Sequence, residues 1–259
     1  MIEIEWNGRR YRSRAPAAAD LAIPLAFDGA GPLAFGAEPA RAEPLAMPGF
    51  SGRVASGASC NASVLTVTPH GNGTHTESVA HVTDGGPAVP ALLAGGWMPA
   101  RLASVEAASG AIGAGALAEA LAAARADGCA AFILRTRPND ARKLSRRYGA
   151  DEPPAHLAAG AAQALADAGI EHLLVDLPSL DRLDDPALPA HRAFFGLAGD
   201  APRAARRRCT VTEFIYAPDE LPDGLYLVDI QCPRWQIEAV PSRPLALPAE
   251  PLDMEDGKR

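Results

Sequence analysis

The stretch Leu117-Ala118-Glu119-Ala120-Leu121-Ala122-Ala123-Ala124-Arg125-Ala126-Asp127-Gly128-Cys129-Ala130-Ala131-Phe132-Ile133-Leu134 decides the fold class. Leu117 to Ala126 are good helix formers, and Asp127-Gly128 ends them, with glycine at the left-handed cap position. Cys129 to Leu134 is then a continuous apolar run, the pattern of a strand buried on both faces. The same grammar recurs downstream. Pro153-Pro154 precede a helix predicted from about Ala155 to Ala168, Gly169 stops it, and Ile170 to Val175 reads as another strand ending at Asp176. Arg101 to Val105, Val211 to Tyr216, Leu225 to Ile230 and Gln236 to Val240 add further strands, with Leu221-Pro222-Asp223-Gly224 as a turn. Helices alternating with strands predict an α/β fold, a mixed sheet with packed helices.

Outward from this region the chain is less regular. Ile2 to Trp6 alternates with period two and meets Arg9 to Arg12 across Asn7-Gly8, a strong hairpin signal. Asp20 to Leu25 reads as a short extended piece, and residues 28–52, rich in Gly, Pro and Ala, as a long surface loop. Asn61 to Thr68 reads as a strand. Residues 196–208 read as a loop whose Arg203, Arg206, Arg207 and Arg208 either clasp an anion or form a solvated basic face. The expected organisation is an N-terminal hairpin over 1–19, one domain over 20–247, and an acidic tail over 248–259 that frays.

Composition narrows the class. The chain has 259 residues, enough for a sizeable core, and its net charge of -7 argues against a general nucleic-acid binder. Cys60, Cys129, Cys209 and Cys232 form no C-x-x-C pair, which excludes a zinc ribbon and fits a reducing compartment. The start shows no basic region followed by an apolar run, and the longest apolar tract, 111–134, is broken by Glu119, Arg125 and Asp127. A cytoplasmic protein without a membrane or nucleic-acid partner is expected.

The chemistry concentrates in Pro69-His70-Gly71-Asn72-Gly73-Thr74-His75-Thr76-Glu77-Ser78-Val79-Ala80-His81. Imidazoles and a carboxylate suit a borderline cation such as zinc. His75 and Glu77 are two apart, so on an extended backbone they share a face. The other reading is a polar turn whose histidines are structural. His172, inside an apolar run, reads as structural as well.

Gly73 to His81 resembles the signature H-x-G-T-H-x-D-x-P-x-H of the "putative cyclase" family, which includes bacterial kynurenine formamidase and isatin hydrolase. Val175-Asp176-Leu177-Pro178-Ser179-Leu180-Asp181 resembles its D-T-P-S-x-D segment, Leu188-Pro189-Ala190-His191 its L-P-x-H, Thr212-Glu213 its later glutamate, and Phe132 to Thr136 its L-L-R-T strand. The resemblance implies a swivelling β/β/α cyclase-type fold, a homo-oligomer (dimer or tetramer), and a divalent metal, zinc or manganese, single or paired. His75, His81, His191 and Glu213 fall at matching positions, so the expected metal ligands are His75, Glu77 and Glu213 with help from His70 or His81, and His191 and His81 are the expected catalytic residues. The substrate class would be a small-molecule amide, cleaved as by an arylformamidase or a cyclic-amide hydrolase. Asp176 and Asp181 are expected to shape loops, and Trp97, Phe194 and Phe195 are candidates for an aromatic pocket wall.

Two positions depart from the signature. Glu77 stands in place of aspartate, and Gly71 stands where its first histidine belongs. On an extended chain the neighbouring His70 would face the wrong way, whereas a bulge at 71–73 would re-aim it. Against the hydrolase stands a reading in which the fold survives as a metal-free binding or scaffold protein.

Overall fold

A computed structural model of the chain describes residues 1–93, 95–149, 151–198, 201–202 and 204–252. The expected mixed sheet is present. Its nine strands lie in the order Ala239–Pro241, His75–Ser78, Thr210–Glu213, His172–Val175, Ala131–Arg137, Met98–Glu106, Gly224–Gln231, Arg243–Pro248 and Ala19–Asp20. The strands from Thr210–Glu213 to Met98–Glu106 are mutually parallel, and those outside them join antiparallel.

The continuous apolar runs arise because both faces of the parallel strands are covered. Phe132, Leu134, Leu173, Val175 and Val211 share one core with Leu121, Ala124, Ala161 and Leu165 of the helices Ala118–Ala126 and Ala159–Asp167. The alternate residues Ala131, Ile133 and Leu174 face the other way, onto Leu102, Tyr226, Val228 and Ala246. Each fully buried Leu, Ile or Phe contributes roughly 1.5–3 kcal/mol, so these two layers hold the strand ends in place. The helix Pro189–Phe194 packs on Ala159–Asp167 and completes the first layer.

The N-terminal hairpin, Ile2–Trp6 against Arg9–Ser13, forms as expected. It is joined by Glu250–Leu252, which pairs with residues 10–12 and places Glu250 2.7 Å from Arg12. Residues 250–252 are thus held by a ladder and an ion pair rather than frayed, while residues 253–259 lie outside the described residues. Tyr11, almost fully buried, anchors the hairpin by donating its hydroxyl to the Asp127 carbonyl.

Other expectations shift locally. The second helix begins at Ala159, because Ala155–Leu157 pairs in parallel with Gly110–Ile112 and buries Ala155 and Leu157. Residues 28–52 are not without structure: Arg41–Pro44 pairs with Ser63–Thr66 and Ala46–Met47 with Phe50–Ser51. Ser63–Thr66 is consequently an exposed ribbon strand, not a strand of the main sheet. Within the arginine cluster, Arg206 is buried on the Phe194 ring and donates to the carbonyls of Phe194 and Ile170. It fastens the loop to the core, Arg207 and Arg208 are exposed, and Arg203 lies outside the described residues. Among the described residues, no helix is long and apolar enough to cross a membrane.

His172 is buried at the end of its strand away from Asp176, with Nδ1 2.9 Å from the Thr210 hydroxyl. Burial, helped by Arg206 and Arg208, lowers its pKa from 6.5 to about 4. The unfolded chain therefore takes up this proton first, and the stability the neutral ring confers is full above about pH 6.5 and lost as the pH falls toward 4. His172→Gln is expected to flatten the pH dependence of unfolding in that window. Wild type should lose up to about 1.4 kcal/mol per pH unit relative to the variant in denaturant titrations. Parallel curves would show that the ring is not held neutral.

Candidate metal centre

Five elements converge at one end of the sheet. Thr68 is extended, and Pro69–Asn72 then forms a single helical turn that begins with proline, where the missing N–H costs nothing. Gly73, at φ 142° and ψ −156°, turns the chain from helix into strand in a conformation that favours glycine. His75–Ser78 follows, fully buried, with His75 opposite Glu213 in the ladder and Glu77 opposite Ala239. Thr74 ties this corner down: its hydroxyl donates to the Phe214 carbonyl and accepts from Ile23 N–H. His81 ends the short helical turn Val79–His81 directly after the strand. His191 comes from the helix Pro189–Phe194, on the same side of the sheet as Glu213.

The side chains meet around Glu77. Its Oε2 lies 3.2 Å from His70 Nδ1, 3.8 Å from His81 Nε2 and 3.9 Å from His75 Nε2. Its Oε1 lies 2.9 Å from His191 Nε2. Glu213 Oε2 is 3.5 Å from His75 Nε2, while its Oε1 accepts the Leu180 N–H at 2.8 Å. Two triads, His70–Glu77–His81 and His75–Glu77–Glu213, each bring one ligand atom per residue within 4.8 Å of the others, and they share Glu77.

Each ring is oriented from behind. His75 Nδ1 is 2.9 Å from the Gly73 carbonyl, which fixes the proton there and leaves Nε2 as a lone pair facing the cluster. His191 Nδ1 is 2.6 Å from Asp181 Oδ2, so its Nε2 also points inward. Asp181 in turn accepts the backbone N–H groups of Ala190 and His191, capping the helix that carries the histidine.

Electrostatics follow from this crowding. Burial and the neighbouring His70 lower His75 to about 4, so the ring is neutral and ready to ligate. Burial pushes Glu77 up, but His81 and His191 outweigh it and hold the carboxyl well below its usual range. His191 is the mirror case: burial lowers it, and Glu77, Asp181 and Glu213 together raise it well above 6.5. Burial and then Glu77 raise Glu213. Burial lowers His81.

The donor set fits a divalent cation. His75 Nε2, both Glu77 oxygens and His191 Nε2 are sealed from solvent, yet none has a hydrogen-bond partner of acceptable geometry among the described residues. Leaving such a group unsatisfied costs about 1–3 kcal/mol, more when it is charged. Ligand atoms at about 2.0–2.2 Å from a tetrahedral ion lie roughly 3.3–3.6 Å apart, close to the separations around Glu77.

His75, Glu77, Glu213, His70, His81 and His191 are thus all brought together. His70 reaches the cluster through the helical turn at Pro69–Asn72, not through an extended chain or a bulge. Gly71 cannot carry a histidine in its place. A Cβ there would sit 2.3 Å from Ala37 Cβ and 3.3 Å from the Ala34 carbonyl. Gly71→Ala is expected to destabilise the protein by about 1–3 kcal/mol in denaturant unfolding; an unchanged midpoint would mean that the 34–37 turn yields freely.

Asp181 does more than shape its loop, since it also holds His191; its distance from His191 in sequence gave no sign of this. Asp176 pairs with buried Lys143 at 2.6 Å and receives the Thr136 N–H, apart from the cluster. Phe194 and Phe195 are fully buried core residues, and Trp97, packed by the N-terminal hairpin, lines a small cavity of about 150 Å³ that none of the clustered residues lines. Phe214 is the aromatic ring beside the cluster, its centroid 6.1 Å from that of His75. A cavity of about 610 Å³ at Thr136, Lys143, Tyr148 and Asp176 is lined by none of the clustered residues.

A mixed α/β sheet with a buried His/Glu cluster at one end defines the class. The family model described as "Putative cyclase" matches residues 19–182, more than half of the chain, and the chain belongs to that family. No curated protein matches the sequence. Among solved structures, a predicted metal-dependent hydrolase from Bacillus stearothermophilus is similar, with 17% identity, a TM-score of 0.60, and coverage of 88% of this chain and 97% of that one. An isatin hydrolase bound to the product analogue thioisatinate aligns at 16% identity and TM-score 0.60, over 89% and 91% of the two chains. Isatin hydrolase A from Labrenzia aggregata, bound to benzyl benzoate, aligns at 17% identity and TM-score 0.58, over 93% and 94%. The fold is therefore that of the cyclase family.

Proposed function

We propose that the protein is a metal-dependent hydrolase that cleaves the C–N bond of a small amide, of the arylformamidase or cyclic-amide type. The observation that carries this reading is the pair of triads sharing Glu77, with His191 and Asp181 behind them. The similarity to isatin hydrolases supports the choice of bond. His75, Glu77 and Glu213 would hold one ion, and His70 and His81, again with Glu77, are placed to hold a second or to share the first. Nitrogen and carboxylate donors of this kind suit zinc best, with manganese as the alternative. When bound, the metal supplies Lewis acidity, which polarises a carbonyl and makes a water acidic.

The chain's own residues do the rest. His191 Nε2 faces Glu77 and Glu213, and Asp181 fixes its other nitrogen; with a cation offsetting the carboxylate charge that otherwise keeps the ring protonated, it can accept a proton at Nε2 and deliver it to a leaving nitrogen. Asp181 stabilises the imidazolium between those two transfers. Glu213 is held by Leu180 N–H and cannot swing out of the cluster. His70 and His81, with side chains 22% and 25% exposed, form the solvent-facing side of the cluster, through which substrate would enter.

A panel of N-formyl arylamines, cyclic amides and lactones, assayed with added zinc or manganese, tests the reading. Metal-dependent turnover of an amide is expected. Metal loading without turnover of any amide would count against it, and lactone hydrolysis alone would move the bond from C–N to C–O.

A further inference from the structure

We propose that Glu238 is the positioning residue that makes His70 a ligand, taking over what the family's signature spacing achieves by itself. This rests on the metal-centre reading above. His70 lies one position away from the signature histidine, on a helical turn of only four residues, Pro69–Asn72. Such a turn does not fix a ring by itself. The ring's inner nitrogen, Nδ1, is 3.2 Å from Glu77 Oε2, and its outer nitrogen, Nε2, is 3.5 Å from Glu238 Oε1. Nε2 is sealed from solvent and, among the described residues, has no hydrogen-bond partner of good geometry. Glu238 is only partly exposed, and its carboxylate stands beside Nε2 at the outer limit of hydrogen-bond distance.

The backbone places Glu238 firmly. Its carbonyl accepts the Ser78 N–H at 2.9 Å, and the next residue, Ala239, stands opposite Glu77 in the ladder. The helical turn bearing His70 packs against the same Ala239–Pro241 strand. The imidazole therefore stands between the carboxylates of Glu77 and Glu238. With its Nε2 proton turned to Glu238, His70 would leave Nδ1 for a cation in the cluster, in place of its present contact with Glu77. A carboxylate behind a ligating histidine sets its tautomer and raises its basicity, and losing such a partner weakens metal binding about 10–100-fold. His81 stacks on His70 with ring centroids 4.2 Å apart, so a misaimed His70 would disturb both outer ligands.

The test compares Glu238→Ala and Glu238→Gln with wild type, using two readouts. Zinc and manganese affinities are measured by chelator competition. The His70 ring is followed by ¹⁵N NMR of the zinc-loaded protein. Glu238→Ala is expected to weaken metal binding about 10–100-fold and to convert a single Nε2–H tautomer into a mixture. Glu238→Gln, whose amide oxygen still accepts the proton, should restore most of both. Wild-type affinity and tautomer in the alanine variant would overturn the proposal. So would equal metal loss in both variants with the tautomer unchanged, which would make Glu238 a ligand. If wild type binds neither metal, the hydrolase reading fails and this proposal with it, whereas wild-type binding with unaltered variants overturns this proposal alone.

Discussion

Glu77→Gln is expected to remove metal retention and hydrolytic turnover together. The substitution keeps the volume of a fully buried side chain, so packing is preserved and the change is one of charge and ligation. Glu77 belongs to both triads, and its two oxygens face His70, His75, His81 and His191. An amide in its place offers one weak oxygen donor and one N–H directed at rings that present lone pairs. The affinity loss should exceed the roughly 100-fold typical of an outer-sphere partner, leaving less than about a tenth of an equivalent after dialysis. The buried imidazolium of His191 also loses the anion that contributes most to raising its pKa. Retained metal with normal turnover would show that Glu77 is not the shared ligand.

The second large effect is expected at His191. His191→Asn should lower turnover about 10²–10⁴-fold while metal content stays close to wild type. The reason is placement: the ring comes from a separate helix, belongs to neither triad, and is braced by Asp181 at 2.6 Å. Asp181→Asn should give a smaller loss in the same direction, because Asn can still accept from Nδ1 but carries no charge to balance the imidazolium. Metal analysis beside steady-state kinetics checks both variants. Metal lost in parallel with turnover in His191→Asn would make the ring a ligand instead of a proton carrier.

Much of this architecture is legible in the sequence, for identifiable reasons. The strands around Phe132, Leu174 and Val228 are continuous apolar runs because both faces of the sheet are covered, and such runs stand out from their surroundings. His75 and Glu77 share a face because strand periodicity is two, and the ladder keeps it so. His70 is different. Its orientation depends on one helical turn containing Gly71 and Asn72, too short to carry any periodicity and poor in helix formers. Reading that segment as extended turns His70 away from the cluster, and only the helical turn brings it back. The strand Ser63–Thr66 carries the same β-rich signal as the core strands, yet among the described residues it pairs only with Arg41–Pro44, in an exposed ribbon. Propensity registers the extended backbone but not which partner it finds. Asp181 and Glu238 were out of reach for another reason: their roles are contacts to side chains on other elements, which no local pattern encodes.

The central claim is that these buried histidines and glutamates form a divalent-metal centre. Elemental analysis of the purified protein, before and after incubation with zinc or manganese and exhaustive dialysis, tests it most directly. The account predicts near-stoichiometric retention of at least one ion per chain, lost in Glu77→Gln. Less than about a tenth of an equivalent in wild type, with no gain on adding either metal, would contradict it.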